Sequence, residues 1–277
     1  MARQLIISLL ISLTIIGCGK NVFQASTKTN PAETATKHME RGNPQKAIDA
    51  LLKAIGSTYE DTYLAAGSTN SLEIKASFEN AFNASLADID INKLTTWVSI
   101  LASAHAQLYG IDPLDLGLAL AEDKSTETEE DNSSSKNDIT RLFPYLPEAS
   151  DDNIKNLGIA LAILDSIGNS NFKTADNFKK GLFLMANASL LVKKIDIDED
   201  GKISLDEASN LTLTDAQNLF IILASAASTI AAGAGSNLES GAQGASSKIT
   251  SLITTIDKTE GTDRAEKLKN YLVAKSS

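Results

Sequence analysis

The sequence predicts an all-α protein made of two helical regions, and three observations carry that reading. Apolar residues recur at helical spacing in segment after segment. The chain is 43% hydrophobic but only 5% aromatic, and Ala and Leu carry much of the apolar material, which suits helices that approach closely. All five prolines (Pro31, Pro44, Pro113, Pro144, Pro147) lie in the first 147 residues, so the remainder can run through helices with little interruption. The 277 residues allow one large or two modest domains. The formal charge is −10. No basic stripe that would neutralise phosphates is present, so a nucleic-acid partner is not expected. The same acidity disfavours electrostatic docking on an anionic lipid surface.

Residues 1–17 place Arg3 before an apolar run that closes on Gly17. That layout is a secretory signal peptide, and the run is short for a spanning helix. Ile15-Ile16-Gly17-Cys18 resembles the bacterial lipobox. The resemblance implies cleavage before Cys18 and a lipid on its thiol. It also implies anchorage on the periplasmic or extracellular face of a bacterial envelope. Cys18 is the single cysteine, so no internal disulfide can form. Residues 18–30 are otherwise polar and read as a flexible tether.

Residues 31–121 form the first helical region. Asn30 can cap a helix with Pro31 at its first position. Gly42-Asn43 breaks the pattern, and Pro44 starts a second helix. That helix carries Ala47, Ile48, Leu51, Leu52, Ala54 and Ile55 as an apolar stripe. The Gly42-Asn43 turn with Ala47, Leu51 and Ala54 resembles a tetratricopeptide (TPR) repeat, which implies TPR-like hairpins stacked as a solenoid. Pro31 departs from that pattern, no proline closes the unit near Tyr59, and no clean 34-residue period follows. An ordinary helical hairpin is the competing reading. Residues 72–87 read as a helix with Ile74, Phe78, Phe82 and Leu86 on one side. Asp88 to Asn92 begins like a calcium loop, but Lys93 and Ser99 stand where Gly and Glu are needed. It reads as a turn and helix cap. Lys93 to Tyr109 carries Leu94, Trp97, Val98, Leu101, Ala102, His105 and Leu108 on an amphipathic helix, with Trp97 read as core and His105 as partly buried. Gly110 ends it, and Leu114 to Ala121 continues as a short apolar helix.

Residues 122–140 are an acidic loop. From Glu122 to Asp138 no apolar side chain exceeds the Thr methyl, so the segment cannot bury surface and reads as disordered.

Residues 141–277 form the second helical region. Leu142 to Pro147 is an apolar stretch expected to pack on the body. Ser150 caps a helix running to about Gly168, and Thr174 to Ile195 is a long helix. Thr214-Asp215 is read as the cap of a helix reaching Ala232. That helix is apolar nearly all round, which suits central core or membrane, although a run of about 14 residues is short for a span. Gly233 to Gly244 reads as a loop. Ser246 to Asp257 and Arg264 to Val273 are the last helices.

One stretch names a chemistry. Asp196-Ile197-Asp198-Glu199-Asp200-Gly201-Lys202-Ile203-Ser204-Leu205-Asp206-Glu207 has acids at positions 1, 3 and 5, Gly at 6 and Glu at 12. It resembles the EF-hand calcium loop. The resemblance implies side-chain ligands from Asp196, Asp198 and Asp200 and the backbone carbonyl of Lys202. It further implies Ser204, directly or through water, and two oxygens from Glu207. The expected cofactor is Ca2+, since Mg2+ prefers a tight octahedral shell with several waters. One loop and three methionines favour a structural site over a sensor that opens a Met-rich groove.

No HExxH, Gly-x-Ser-x-Gly, P-loop or dinucleotide glycine pattern occurs. The expectation is a lipid-anchored, calcium-binding, non-catalytic scaffold or accessory protein of the bacterial envelope. It would meet the membrane through its lipid and present a helical groove to a protein or peptide partner. The alternative is an envelope enzyme or small-ligand receptor with a structural calcium site, in which Trp97 and His105 would line a cavity.

Overall fold

The computed structural model describes residues 30–55, 90–121, 139–168, 172–233 and 239–276. Residues 1–17, Cys18, most of the 18–30 segment, the helix expected over 72–87 and the acidic stretch from Glu122 to Asp138 lie outside the described residues.

Among the described residues the chain is all-helical, with no strand. In order these are α1 (Pro31–Glu40), α2 (Pro44–Ile55), α3 (Ile91–Leu108), α4 (Pro113–Ala121), a 3-10 turn (Thr140–Tyr145), α5 (Asp151–Asp165), α6 (Thr174–Lys193), α7 (Leu205–Ser209), α8 (Leu213–Ala232), α9 (Glu239–Lys258) and α10 (Arg264–Ser276).

Local chemistry sets the boundaries. The Asn30 side chain accepts from the Ala32 N–H at 3.1 Å, with Pro31 opening α1. Gly42 turns the chain into α2 at a φ of 68°, a region where glycine carries no Cβ penalty. Asp90 caps α3 by accepting from the Asn92 and Lys93 N–H groups at 3.1 and 3.3 Å. Ser150 accepts from the Asn153 N–H at 3.2 Å and starts α5. The cap of α8 is Thr212, not Thr214. Thr212 Oγ1 accepts from the Asp215 N–H at 3.1 Å while Asp215 accepts from the Thr212 N–H at 3.1 Å, a reciprocal capping box.

Packing proceeds as a relay. The α1–α2 hairpin lies on α3, α3 on α5, α5 on α6, and α6 on α8, which also meets α9 and α10. One hydrophobic cluster runs through all of these layers. It takes Ala47, Ile48, Leu51, Leu52 and Ile55 from α2, and every residue of α5 from Leu157 to Leu164 is buried. Helix α8 is the one described helix long and apolar enough to cross a membrane. It is also the helix packed most extensively, against α6.

The α6–α8 crossing is tight because of two glycines. A Cβ on Gly181 would sit 2.3 Å from Ile230 Cγ1, and one on Gly233 would sit 2.6 Å from the Phe178 backbone N. Gly233 has helical geometry, so alanine would face no torsional penalty there, only the collision. Backbone cannot rotate away as a side-chain tip can. Gly233→Ala should therefore lose about 1–3 kcal/mol to overpacking. The expected result is a lower denaturant midpoint with an unchanged m-value; an unchanged midpoint would show that the crossing relaxes freely.

The expected loop over residues 233–244 is corrected in part: α9 begins at Glu239 and takes in Gly241 and Gly244. Helix α9 is tied to α8 where Ser246 Oγ donates to the Ala227 carbonyl at 2.9 Å.

Candidate metal centre

Helix α6 delivers the chain to the acidic loop from a clamped end. Lys193 Nζ donates to the carbonyls of Phe143 (3.3 Å), Leu146 (3.2 Å) and Pro147 (3.2 Å), fixing the 3-10 segment to the last turn of α6. Beyond Lys194 the backbone leaves helical geometry. Glu199 has a φ of 57° and Gly201 one of 78°. Nothing lies within 4 Å of where a Gly201 Cβ would be, so the glycine is needed for conformation, not space.

The turn brings carboxylates together. Oxygens of Asp196, Asp198 and Glu207 all lie within 4.8 Å of one another, in the one such group among the described residues. Asp196 and Glu207 are buried and Asp198 is exposed. Each of the other oxygens at the two buried residues has a protein donor. Asp196 Oδ2 accepts from the Gly201 N–H at 3.1 Å. Glu207 Oε1 accepts from the Ile197 N–H at 2.6 Å and the Asp198 N–H at 3.3 Å. Glu207 Oε2 accepts from the Ser204 N–H at 2.9 Å and the Ser204 hydroxyl at 2.8 Å. Asp196 Oδ1 is the exception: it is buried without a hydrogen-bond partner. A buried carboxylate oxygen without a donor is costly unless a cation supplies the missing interaction.

The charges respond to this crowding. Burial holds the Asp196 carboxyl above the usual carboxylate range; the Gly201 N–H opposes the shift and the nearby Glu207, Asp200 and Asp198 charges add to it. Glu207 is held below the usual range, first by the Ser204 N–H, with burial opposing. The site thus contains one carboxylate stabilised as an anion by four donors and another that resists ionisation. A divalent ion would favour the charged form of both.

Asp200 and Ser204, also expected as ligands, make hydrogen bonds within the loop. The Asp200 carboxylate accepts from the Lys202 N–H at 2.7 Å, and Asp200 is not part of the group of three. Ser204 Oγ caps α7 by accepting from the Glu207 N–H at 3.3 Å. Ile203, at position 8, is fully buried. Cys18 lies outside the described residues.

Two polar features elsewhere bear on function. His105 is fully buried, deeper than expected, with the Tyr109 ring 5.2 Å away. Burial lowers its pKa to about 3, opposed by a hydrogen bond with Asn156. Trp97 is half-buried against the same core. The pair therefore reads as neutral packing. The second feature has no signal in the sequence. Ser99 Oγ on α3 donates to Asp176 Oδ1 on α6 at 2.5 Å. Lys179 Nζ donates to the Ser99 hydroxyl at 2.7 Å and its carbonyl at 3.0 Å. Burial brings the Lys179 ammonium down to about 8, against the pull of the Asp176 charge. This bridge joins α3 to the first turns of α6.

Comparison with protein-family models, with curated proteins and with solved structures finds no match to this chain.

Proposed function

We propose that this protein is a calcium-binding, non-catalytic helical scaffold of the bacterial cell envelope, held to a membrane by a lipid on Cys18. The observation that carries the calcium part is Asp196 Oδ1, buried and without a donor beside Asp198 and Glu207. In the proposed site Asp196, Asp198 and Asp200 give side-chain oxygens and Lys202 gives its carbonyl. Ser204 contributes directly or through water, and Glu207 closes the shell, in an EF-hand-like loop.

The role is structural. Helix α7, which leaves the loop, has only five residues. Ile203 is already buried in the protein's own core. Neither feature suits a helix pair that swings open to expose a groove. The ion instead locks the corner between α6 and the α7–α8 layer. The α1–α2 hairpin is the TPR-like element, and an envelope protein or peptide is the partner.

Two measurements on the full chain test this. Calorimetric titration with CaCl2 should show one ion per chain, and no heat of binding would sink the metal. Cys18→Ala, expressed in a bacterial host, should move from the membrane fraction to the soluble fraction. A variant that has lost residues 1–17 and is still as firmly membrane-bound as the parent would refute the lipid anchor and make α8 a candidate span.

A further inference from the structure

Among the described residues, the carboxylate corner also carries the most exposed large apolar side chains. Among the described residues the exposed large hydrophobics are Tyr145, Ile197, Leu205, Leu213 and Ile221. Four of the five fall between positions 197 and 221, on the loop and the two helices after it. Ile197 is 70% exposed and Leu205 67% exposed.

Both are held by the same carboxylate. The Ile197 N–H donates to Glu207 Oε1 at 2.6 Å. Leu205 opens α7, whose first turn Glu207 closes by accepting from the Ser204 N–H. The fold's own need for an apolar side chain in the loop is met by Ile203, which is fully buried. Ile197 and Leu205 are therefore surplus to internal packing, displayed on ordered backbone and flanked by exposed Asp198, Glu199, Asp200 and Asp206.

We propose that this corner is a docking surface for a basic, amphipathic protein segment. Aliphatic side chains of the partner would cover Ile197 and Leu205, and its Lys or Arg residues would face the acidic rim. The proposal rests on the calcium reading, because the ion would offset the repulsion among Asp196, Asp198 and Glu207 and so fix the backbone that displays the pair. Charge selects the partner. Residues 196–215 hold seven carboxylates against Lys202, a net −6, which one Ca2+ reduces only to −4. An anionic lipid surface would be repelled by that rim, and so would the same corner of a second copy. This places the partner site at the calcium corner, away from the TPR-like hairpin.

The test uses full-length protein and a fluorescein-labelled synthetic helix of Leu and Lys, read by anisotropy. Binding is expected in calcium, at least tenfold weaker in chelator, and absent for the matched Leu/Glu helix. The deciding variant is Ile197→Asp with Leu205→Asp. It makes the corner more acidic, so attraction by charge alone would tighten binding, whereas loss of the apolar contact should weaken it tenfold or more. Ile197→Ser with Leu205→Ser should weaken it likewise without adding charge. Equal or tighter binding by the Asp pair overturns the docking surface. So does a pair that abolishes phosphatidylglycerol-vesicle binding or self-association instead. Calcium titration of the same samples keeps the two ideas apart: calcium heat with unchanged peptide affinity sinks the docking surface alone, and no calcium heat in the parent sinks the metal reading.

Discussion

Asp198→Asn should make the protein more stable in chelator and less stable in calcium. The crossing follows from what Asp198 touches. Its carboxylate is exposed, lies within 4.8 Å of oxygens of Asp196 and Glu207, and accepts from the Asp200 N–H at 3.3 Å. An asparagine carbonyl can keep that last bond. Without metal, the substitution removes a like charge from two others and eases Asp196, whose carboxyl is already raised by burial and by its neighbours. With metal, it removes a ligand charge from a site whose affinity depends on ligand charge. At calcium 100-fold above its dissociation constant the parent should gain about 2.7 kcal/mol over the chelated protein. That corresponds to about 5–10 °C in melting temperature for a chain of this size. The variant's gain should be much smaller. Glu207→Gln is a less clean probe, because Glu207 also accepts four donors that shape the loop and α7. Differential scanning calorimetry of parent and Asp198→Asn, each with calcium and with chelator, supplies the four values. Equal melting of the parent in both conditions, or a variant destabilised equally in both, would remove calcium from the account of this corner.

What the sequence revealed and what it concealed divide along contact order. The helix starts at Asn30, Asp90 and Ser150 are legible because a cap is a contact over two or three residues. The carboxylate group is legible for the same reason: its members span twelve residues, and Gly201 marks the turn that gathers them. Asp200, outside that group, turns to the Lys202 N–H two residues on; that contact is local, but whether the carboxylate faces it depends on the loop's own torsions. The boundary of α9 is not legible because glycine, alanine and serine around 239–246 read as loop by propensity. The helix is instead anchored downstream by buried Ile249, Leu252 and Ile256 and by the Ser246 contact with α8. The Ser99–Asp176 bridge joins residues 77 apart, and no local pattern encodes such a meeting. The depth of His105 belongs to the same class, since α3 shows an apolar side but not which helices cover it.

His105 should make the protein acid-sensitive in a window that begins above the carboxylate range. Its folded pKa is lowered to about 3 by burial, against 6.5 for the free side chain. The unfolded chain therefore binds a proton at His105 below pH 6.5, and the folded chain does so only near pH 3. Stability is fully present above pH 6.5 and is lost as pH falls, by about 1.4 kcal/mol per pH unit for one proton. Between pH 6.5 and 5 that amounts to about 2 kcal/mol, before most carboxylates begin to protonate. Lys179 acts in a separate window. Its folded pKa is brought to about 8 from 10.5, so its contribution rises with pH between those values. His105→Gln removes the titration while leaving a side chain that can hydrogen-bond Asn156. The variant should lose some stability at neutral pH from imperfect filling of the imidazole site. Its denaturation midpoint should then be nearly flat from pH 6.5 to 5, while the parent's falls. Comparing the two proteins in identical buffers cancels every other titrating group, the acidic loop of residues 196–207 included. Parallel pH profiles would mean that the buried imidazole finds a way to hold its proton in the folded state. Convergence of the two curves on acidification is the outcome that a neutral core histidine requires.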